Sequence, residues 1–267
     1  MAALDAPVTR PRAGTTVLLA LPPLLLLGIV LALWQSEALH RLLGIQVFQL
    51  PLPSGILAAF ARRSGDLWTG AWYTLGEAVI GLGLGAGLGF AAAALFVQFD
   101  GLRRGLMPLA VSANAIPLIA ITPIVTRWLG FDQPTRIFVV ALMTFAPMVV
   151  SAYKGLTALD NAALDLMHSY AATAGDTFRK LRLPSSLPYV FSALRVGATA
   201  AMIGAVVAEF FNSAGGIGKL IANNVQGNDY ALAWCGVLIV TGMGLLLYFA
   251  VSLLERLVVR GQAGGRE

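Results

Sequence analysis

Long apolar runs constrain this sequence most: Thr16–Trp34, Trp68–Phe99, Leu106–Leu129, Thr135–Leu156, Leu187–Phe211 and Tyr230–Val259. A helix of about 20 apolar residues matches the hydrocarbon thickness of a bilayer. Lipid offers no hydrogen bonds to a backbone, so a chain crossing it must satisfy its own, as a helix does. The runs therefore predict an all-α polytopic membrane protein with about six transmembrane helices. Composition points the same way, with 58% hydrophobic residues, 12% charged and a mean hydropathy of +0.79. A soluble domain carries about twice that charged share, so lipid must cover most of this surface.

The net charge of +5 does not indicate a nucleic-acid partner, because the 18 Lys and Arg residues are scattered between apolar runs. Their placement reads as membrane topology. With the N-terminus inside, Arg10, Arg12, Arg103, Arg104, Lys154, Arg179, Lys180, Arg182, Arg256, Arg260 and Arg266 fall on the cytoplasmic side. Arg41, Arg62, Arg63, Arg127, Arg136 and Lys219 fall outside or at span ends facing out. Cytoplasmic loops carry the basic excess, so both termini are expected in the cytoplasm of a cell whose inner membrane holds the chain. The single cysteine, Cys235, lies inside an apolar run and reads as packing. It has no metal-site spacing with His40 or His168, and no disulfide is possible within the chain.

Taken in order, residues 1–15 read as a cytoplasmic tail and 16–66 as a first span followed by an outer surface segment. Residues 67–259 form a core of five spans, and 260–267 a cytoplasmic tail. The first run could be a signal peptide, but it lacks a small-x-small cleavage site and so reads as a retained span kinked at Pro22-Pro23. A short helix is expected over Gly55–Ala61. In the second span Gly81, Gly85 and Gly89 recur every fourth residue, as do Gly83 and Gly87. Small residues at that interval let helix backbones approach in lipid. The third span contains Pro108, Pro117 and Pro123. Asn212–Asp229 reads as an outer loop, and its GGIGKL resembles a phosphate loop only superficially: Ser213 stands where the first Gly belongs and Leu220 where Ser or Thr must hold magnesium. No ATP site is visible on this chain.

Between the fourth and fifth runs lies a polar stretch, DLMHSYAATAGDTFRKLRLP, at Asp165–Pro184. It keeps helical periodicity, since Leu159, Ala163, Leu166, Met167, Tyr170 and Ala174 recur at spacings of three and four. Gly175 and Asp176 are expected to interrupt it, and Leu183-Pro184 to stop the segment that follows. A solvated loop needs no apolar face, whereas a helix docking into a partner does.

These residues resemble the loop of ABC-importer permeases. Asp165 stands where that family usually has Glu, Met167 where it has a second Ala and Ala171 where it has Gly, while Leu183 and Pro184 match outright. The piece SYAATAGDTFRKLRLPSSLPYVFSALRVG is similar to the nitrate, sulfonate, taurine and pyrimidine-precursor branch of binding-protein-dependent type I importers. The resemblance implies the type I permease fold, a second copy of the permease as a homodimer, ATPase subunits holding ATP and Mg, and an external substrate-binding protein. It also implies that the loop 158–184 couples to the ATPase, through Asp165, Leu166, Met167, Tyr170, Ala171, Gly175, Arg179 and Pro184. This chain would carry no cofactor and hydrolyse nothing.

Polar residues in the spans are the candidates for lining a pathway: Glu77, Asn114, Thr122, Thr144 and Glu209. For Asn114 and the threonines, hydrogen bonds to backbone or between helices are the competing role. Sulfonate-type relatives tend to be basic where Glu77 stands, so an acid there leans towards a neutral or cationic heterocycle over an anion. A secondary, ion-coupled transporter is the alternative class. It calls for inverted repeats and paired intramembrane charges, whereas no repeat is found and the charges lie near span ends.

Overall fold

A computed structural model describes residues 13–211 and 215–263, with side chains described for 21–211 and 215–259. The tail at 1–12, the Arg260 side chain, Arg266 and the loop residues Asn212 and Ser213 lie outside the described parts. Among the described residues every regular element is helical. In chain order these are α1 (Ala13–Gln35), α2 (Ala38–Leu43), α3 (Pro53–Arg62), α4 (Ser64–Gln98), α5 (Asp100–Ser112) and α6 (Leu118–Leu129). They are followed by α7 (Gln133–Thr157), α8 (Asn161–Ser169), α9 (Ala174–Thr177), α10 (Leu183–Phe211), α11 (Ile217–Gln226) and α12 (Tyr230–Ala263).

Four rods are long and apolar enough to span a bilayer: α4, α7, the Ala174–Phe211 rod that ends in α10, and α12. The third span expected over Leu106–Leu129 is divided between α5 and α6, a pair long and apolar enough only when taken together and bent by 106° at the break. The break falls at Pro117, which offers no N–H and holds Ile116 in an extended conformation at ψ 120. Pro108 and Pro123 sit inside helices without ending them. The apolar helix α1 runs through Pro22-Pro23 and is largely exposed over its described side chains. Its last turn meets α12 through the Trp34–Trp234 ring contact.

α4, α7 and α10 form the packed centre. A Cβ on Gly81 would meet Val140 Cβ at 2.5 Å, and one on Gly89 would meet the Phe145 carbonyl at 2.6 Å; Gly85 sits equally tightly on Ala141 and Thr144. The Gly81/Gly85/Gly89 ridge is thus where two backbones meet. Gly83 and Gly87 face open space, because they lie on the opposite side of the helix. Gly155, Gly197 and Gly204 repeat the device between α7, α4 and α10. A second cluster (Ile56, Ala59, Leu67, Ala71, Ile217, Ile221, Leu232, Ala233 and Cys235) seats α3 and α11 on the ends of α4 and α12, with Cys235 packed as expected.

Candidate functional site: a braced loop at one end and a buried polar network at the other

The loop 158–184 folds into a short helix, a sharp break and a new helix. Asp160 caps α8 by accepting from the Ala162 N–H at 3.2 Å. α8 ends earlier than its apolar periodicity suggests, at Ser169 with Tyr170 as its cap, so Ala174 is not on it. The Ala172 N–H donates to the Met167 carbonyl and the Ala171 N–H to that of His168, while Ala171 adopts φ +50. This is a Schellman ending, whose left-handed position ordinarily belongs to glycine. The conformation gives a physical reason for the Gly that Ala171 replaces in the resembling family.

The break therefore precedes Gly175 and Asp176, contrary to the sequence expectation. Thr173 starts the next helix: its hydroxyl accepts from the Asp176 N–H at 3.1 Å and donates to the Asp176 carboxylate at 2.6 Å. Such a reciprocal cap favours helix and overrides the glycine beside it. Leu183-Pro184 does not stop the chain either. The missing N–H of Pro184 is accommodated by a widened π turn over Phe178–Arg182, where the Leu183 N–H reaches the Phe178 carbonyl, and α10 continues.

The loop is tied to the bundle by Arg182, whose guanidinium donates to the Leu156 carbonyl in the last turn of α7 at 2.9 Å. Arg179 is exposed, and Lys180 pairs with Asp176 at 2.9 Å on the surface. On α8, Asp165 is exposed and Met167 half-buried, while Leu166 and Tyr170 are 56% and 76% exposed. Two large side chains thus stand free at the end of the bundle.

The opposite end holds a network that the sequence did not reveal. Glu77 and Arg136 form an ion pair at 2.6 Å, with side chains 0% and 1% exposed. Arg136 also bonds the Tyr73 hydroxyl, and its Nη1 donates to the Phe131 carbonyl at 3.3 Å. One turn away Thr74 donates to Glu209 at 2.7 Å, and the other oxygen of Glu209 accepts from the Gly218 N–H at 2.6 Å. The Ile217 N–H donates in turn to the Thr74 hydroxyl at 2.9 Å. Part of the expected outer loop is therefore a helix, α11, whose N-terminus receives a carboxylate of the chain itself. A helix N-terminus attracts anions through its free N–H groups and dipole. That accounts for the phosphate-loop look of GGIGKL: the anion it receives is Glu209.

The five polar candidates are not brought together around an open pathway. Glu77 and Glu209 are buried in the network. Thr122 and Thr144 are buried as well, and donate to carbonyls of their own helices, Leu118 at 2.8 Å and Val140 at 3.1 Å. Asn114 is exposed and borders a small cavity at the α5–α6 bend. A buried charge pair is present after all. Arg136 reads from sequence as a span-end anchor because nothing local identifies a partner 59 residues away.

The family profile described as the binding-protein-dependent transport system inner membrane component matches residues 81–263. The chain is 31% identical over 239 residues to a probable ABC transporter permease protein of Haemophilus influenzae, covering 89% of this chain and 97% of that one. It is 30% identical over 241 residues to a formylaminopyrimidine transport permease protein of Halalkalibacterium halodurans, covering 90% and 95%. Its fold is similar to that of a chain from the MetNI methionine ABC transporter in an inward-facing conformation. That match has a TM-score of 0.63 and 18% identity, over 74% of this chain and 98% of the other.

Proposed function

The chain belongs to the binding-protein-dependent transport system inner membrane components, and from that premise we propose that two copies form a permease driven by separate ATPase subunits docked on the loop 158–184. As a type I ABC importer permease it is a multi-pass membrane protein that provides the passage while its partners supply energy and solute. In this reading ATP and Mg sit on the ATPase, an external binding protein delivers the solute, and the chain lies in the inner membrane with both termini in the cytoplasm. The solute is small, either a pyrimidine- or vitamin-type heterocycle or a sulfonate, taurine or nitrate-type anion. The formylaminopyrimidine relative supports the first. Glu77 no longer argues against the second, since Arg136 neutralises it.

The observation that carries the coupling proposal is the exposure of Leu166 on α8 and of Tyr170 at its cap, on a helix closed at both ends by the Asp160 cap and the Schellman ending. Large apolar groups held rigidly outside a bundle lose little entropy on docking, and such anchors contribute about 2 kcal/mol or more each at interfaces. Leu166→Ala combined with Tyr170→Ala should leave the protein inserted but reduce ATPase co-purification with a tagged permease and abolish uptake into vesicles. Undiminished co-purification together with normal uptake would show that this face packs within the membrane subunit and that coupling runs elsewhere.

A further inference from the structure

We infer that the cleft between the start of α4 and α11 is a binding site for a small solute bearing one oxyanion head group. The cleft encloses about 510 Å³ between Arg63, Asp66, Thr69 and Tyr73 on one side and Lys219 and Asn223 on the other. That volume lies within the range of about 300–1,000 Å³ typical of small-molecule sites. Its position on the outer face, and hence its access to incoming solute, rests on the orientation proposed above.

The hydrogen-bonding groups select the ligand. Arg63 and Asp66 pair with each other at 2.8 Å and leave no net charge. Lys219, half-buried, makes no hydrogen bond or ion pair among the described residues, and neither does the Asn223 amide. Tyr73 accepts a hydrogen bond from Arg136, which leaves its own proton free to donate. Thr69 spends its proton on the Gly65 carbonyl at 2.9 Å. The cleft thus presents an ammonium, an amide N–H₂ and a phenolic O–H without acceptors among the described residues, a donor set suited to an oxyanion.

The two carboxylates beneath the floor do not compete for these donors. Glu77 is held by Arg136, while Glu209 is held by Thr74, the Gly218 N–H and the positive N-terminal end of α11. Gly216 keeps the floor low at φ +96, and a Cβ there would fall on the Glu209 carboxylate. The floor of the cleft is therefore the upper surface of the buried network.

The test uses the full chain with its ATPase in phosphatidylcholine nanodiscs, without any external binding protein, titrated calorimetrically with ethanesulfonate. Saturable binding is expected, at least tenfold weaker in Lys219→Gln, within a few-fold of wild type in Lys219→Arg, and weaker for neutral ethanesulfonamide. No saturable binding by the wild type, or equal affinity in Lys219→Gln, overturns the assignment. Tighter binding of ethylammonium than of ethanesulfonate overturns it as well. So does loss of ethanesulfonate binding when phosphatidylglycerol is added to the discs, which would give the cleft to a lipid head group. Retention of the ATPase in the same samples reports on the permease reading separately, so the two can fail independently.

Discussion

Removing the guanidinium of Arg136 tests what holds the loop-distal end of the bundle together. Arg136 and Glu77 are both essentially unexposed, with 2.6 Å between Nε and Oε1. Arg136→Met keeps much of the side-chain length but leaves a carboxylate in the interior without its counter-charge. Breaking a buried pair in this way costs about 3–5 kcal/mol, and the Phe131 carbonyl loses a donor worth about 1 kcal/mol. The destabilisation should therefore be about 4–6 kcal/mol. At about 2–4 °C per kcal/mol for a chain near this size, the melting temperature of the purified protein should fall by about 10 °C or more. Replacing both partners, as Arg136→Met with Glu77→Leu, removes the stranded charge and should recover most of that loss, because apolar replacements of buried pairs are often close to neutral. Thermal unfolding of the four members of this cycle in one detergent measures the coupling. A loss below about 1 kcal/mol in Arg136→Met, or a double variant no more stable than the two single losses added together, would refute the assignment of this pair as the clamp between α4 and α7.

The glycine ridge supplies an internal control. Gly85→Leu should lower stability by about 1–3 kcal/mol or more through forced separation of α4 and α7, whereas Gly87→Leu on the open face should leave melting unchanged; equal effects at both positions would mean the two faces are misassigned. At the loop, Ala171→Gly relieves a left-handed backbone and should stabilise the protein by about 1 kcal/mol, while β-branched Ala171→Val should destabilise it. The melting temperatures of these two variants should move in opposite directions, and movement in the same direction would show that the backbone there is not φ-limited.

What could be read from the sequence follows the range of each interaction. The spans, the Gly81/Gly85/Gly89 contact face, the short helix near Gly55 and the packing role of Cys235 depend on local periodicity and composition. What was missed depends on partners far away in sequence. Glu77, Arg136 and Glu209 read separately as polar spots or anchors, since their pairing depends on how α4, α7, α10 and α11 are brought together. The helix breaks were misplaced for a local reason. Gly175 and Pro184 are strong breakers in isolation, but the Thr173 cap and the π turn at Phe178–Arg182 accommodate them, and the real break came from Ala171, a residue with no breaker signal.

The same two helices reach both ends of the bundle. α7 carries Arg136 near its start and the Leu156 carbonyl in its last turn; α10 begins just beyond Arg182 and carries Glu209 near its end. They run antiparallel in close contact, with Gly155 against Ser186 and Tyr189, and Gly204 against Met143 and Val140. At such backbone proximity a side chain has no room to change rotamer, so relative sliding would cost many contacts at once, and the pair moves most cheaply as a unit. In the proposed mechanism a displacement of the loop by the ATPase is therefore felt at α11, because Glu209 holds the N-terminus of α11 and Thr74 ties both to α4. The cleft above Tyr73 lies at the junction of those elements, so a displacement felt at α11 would reach a solute held there.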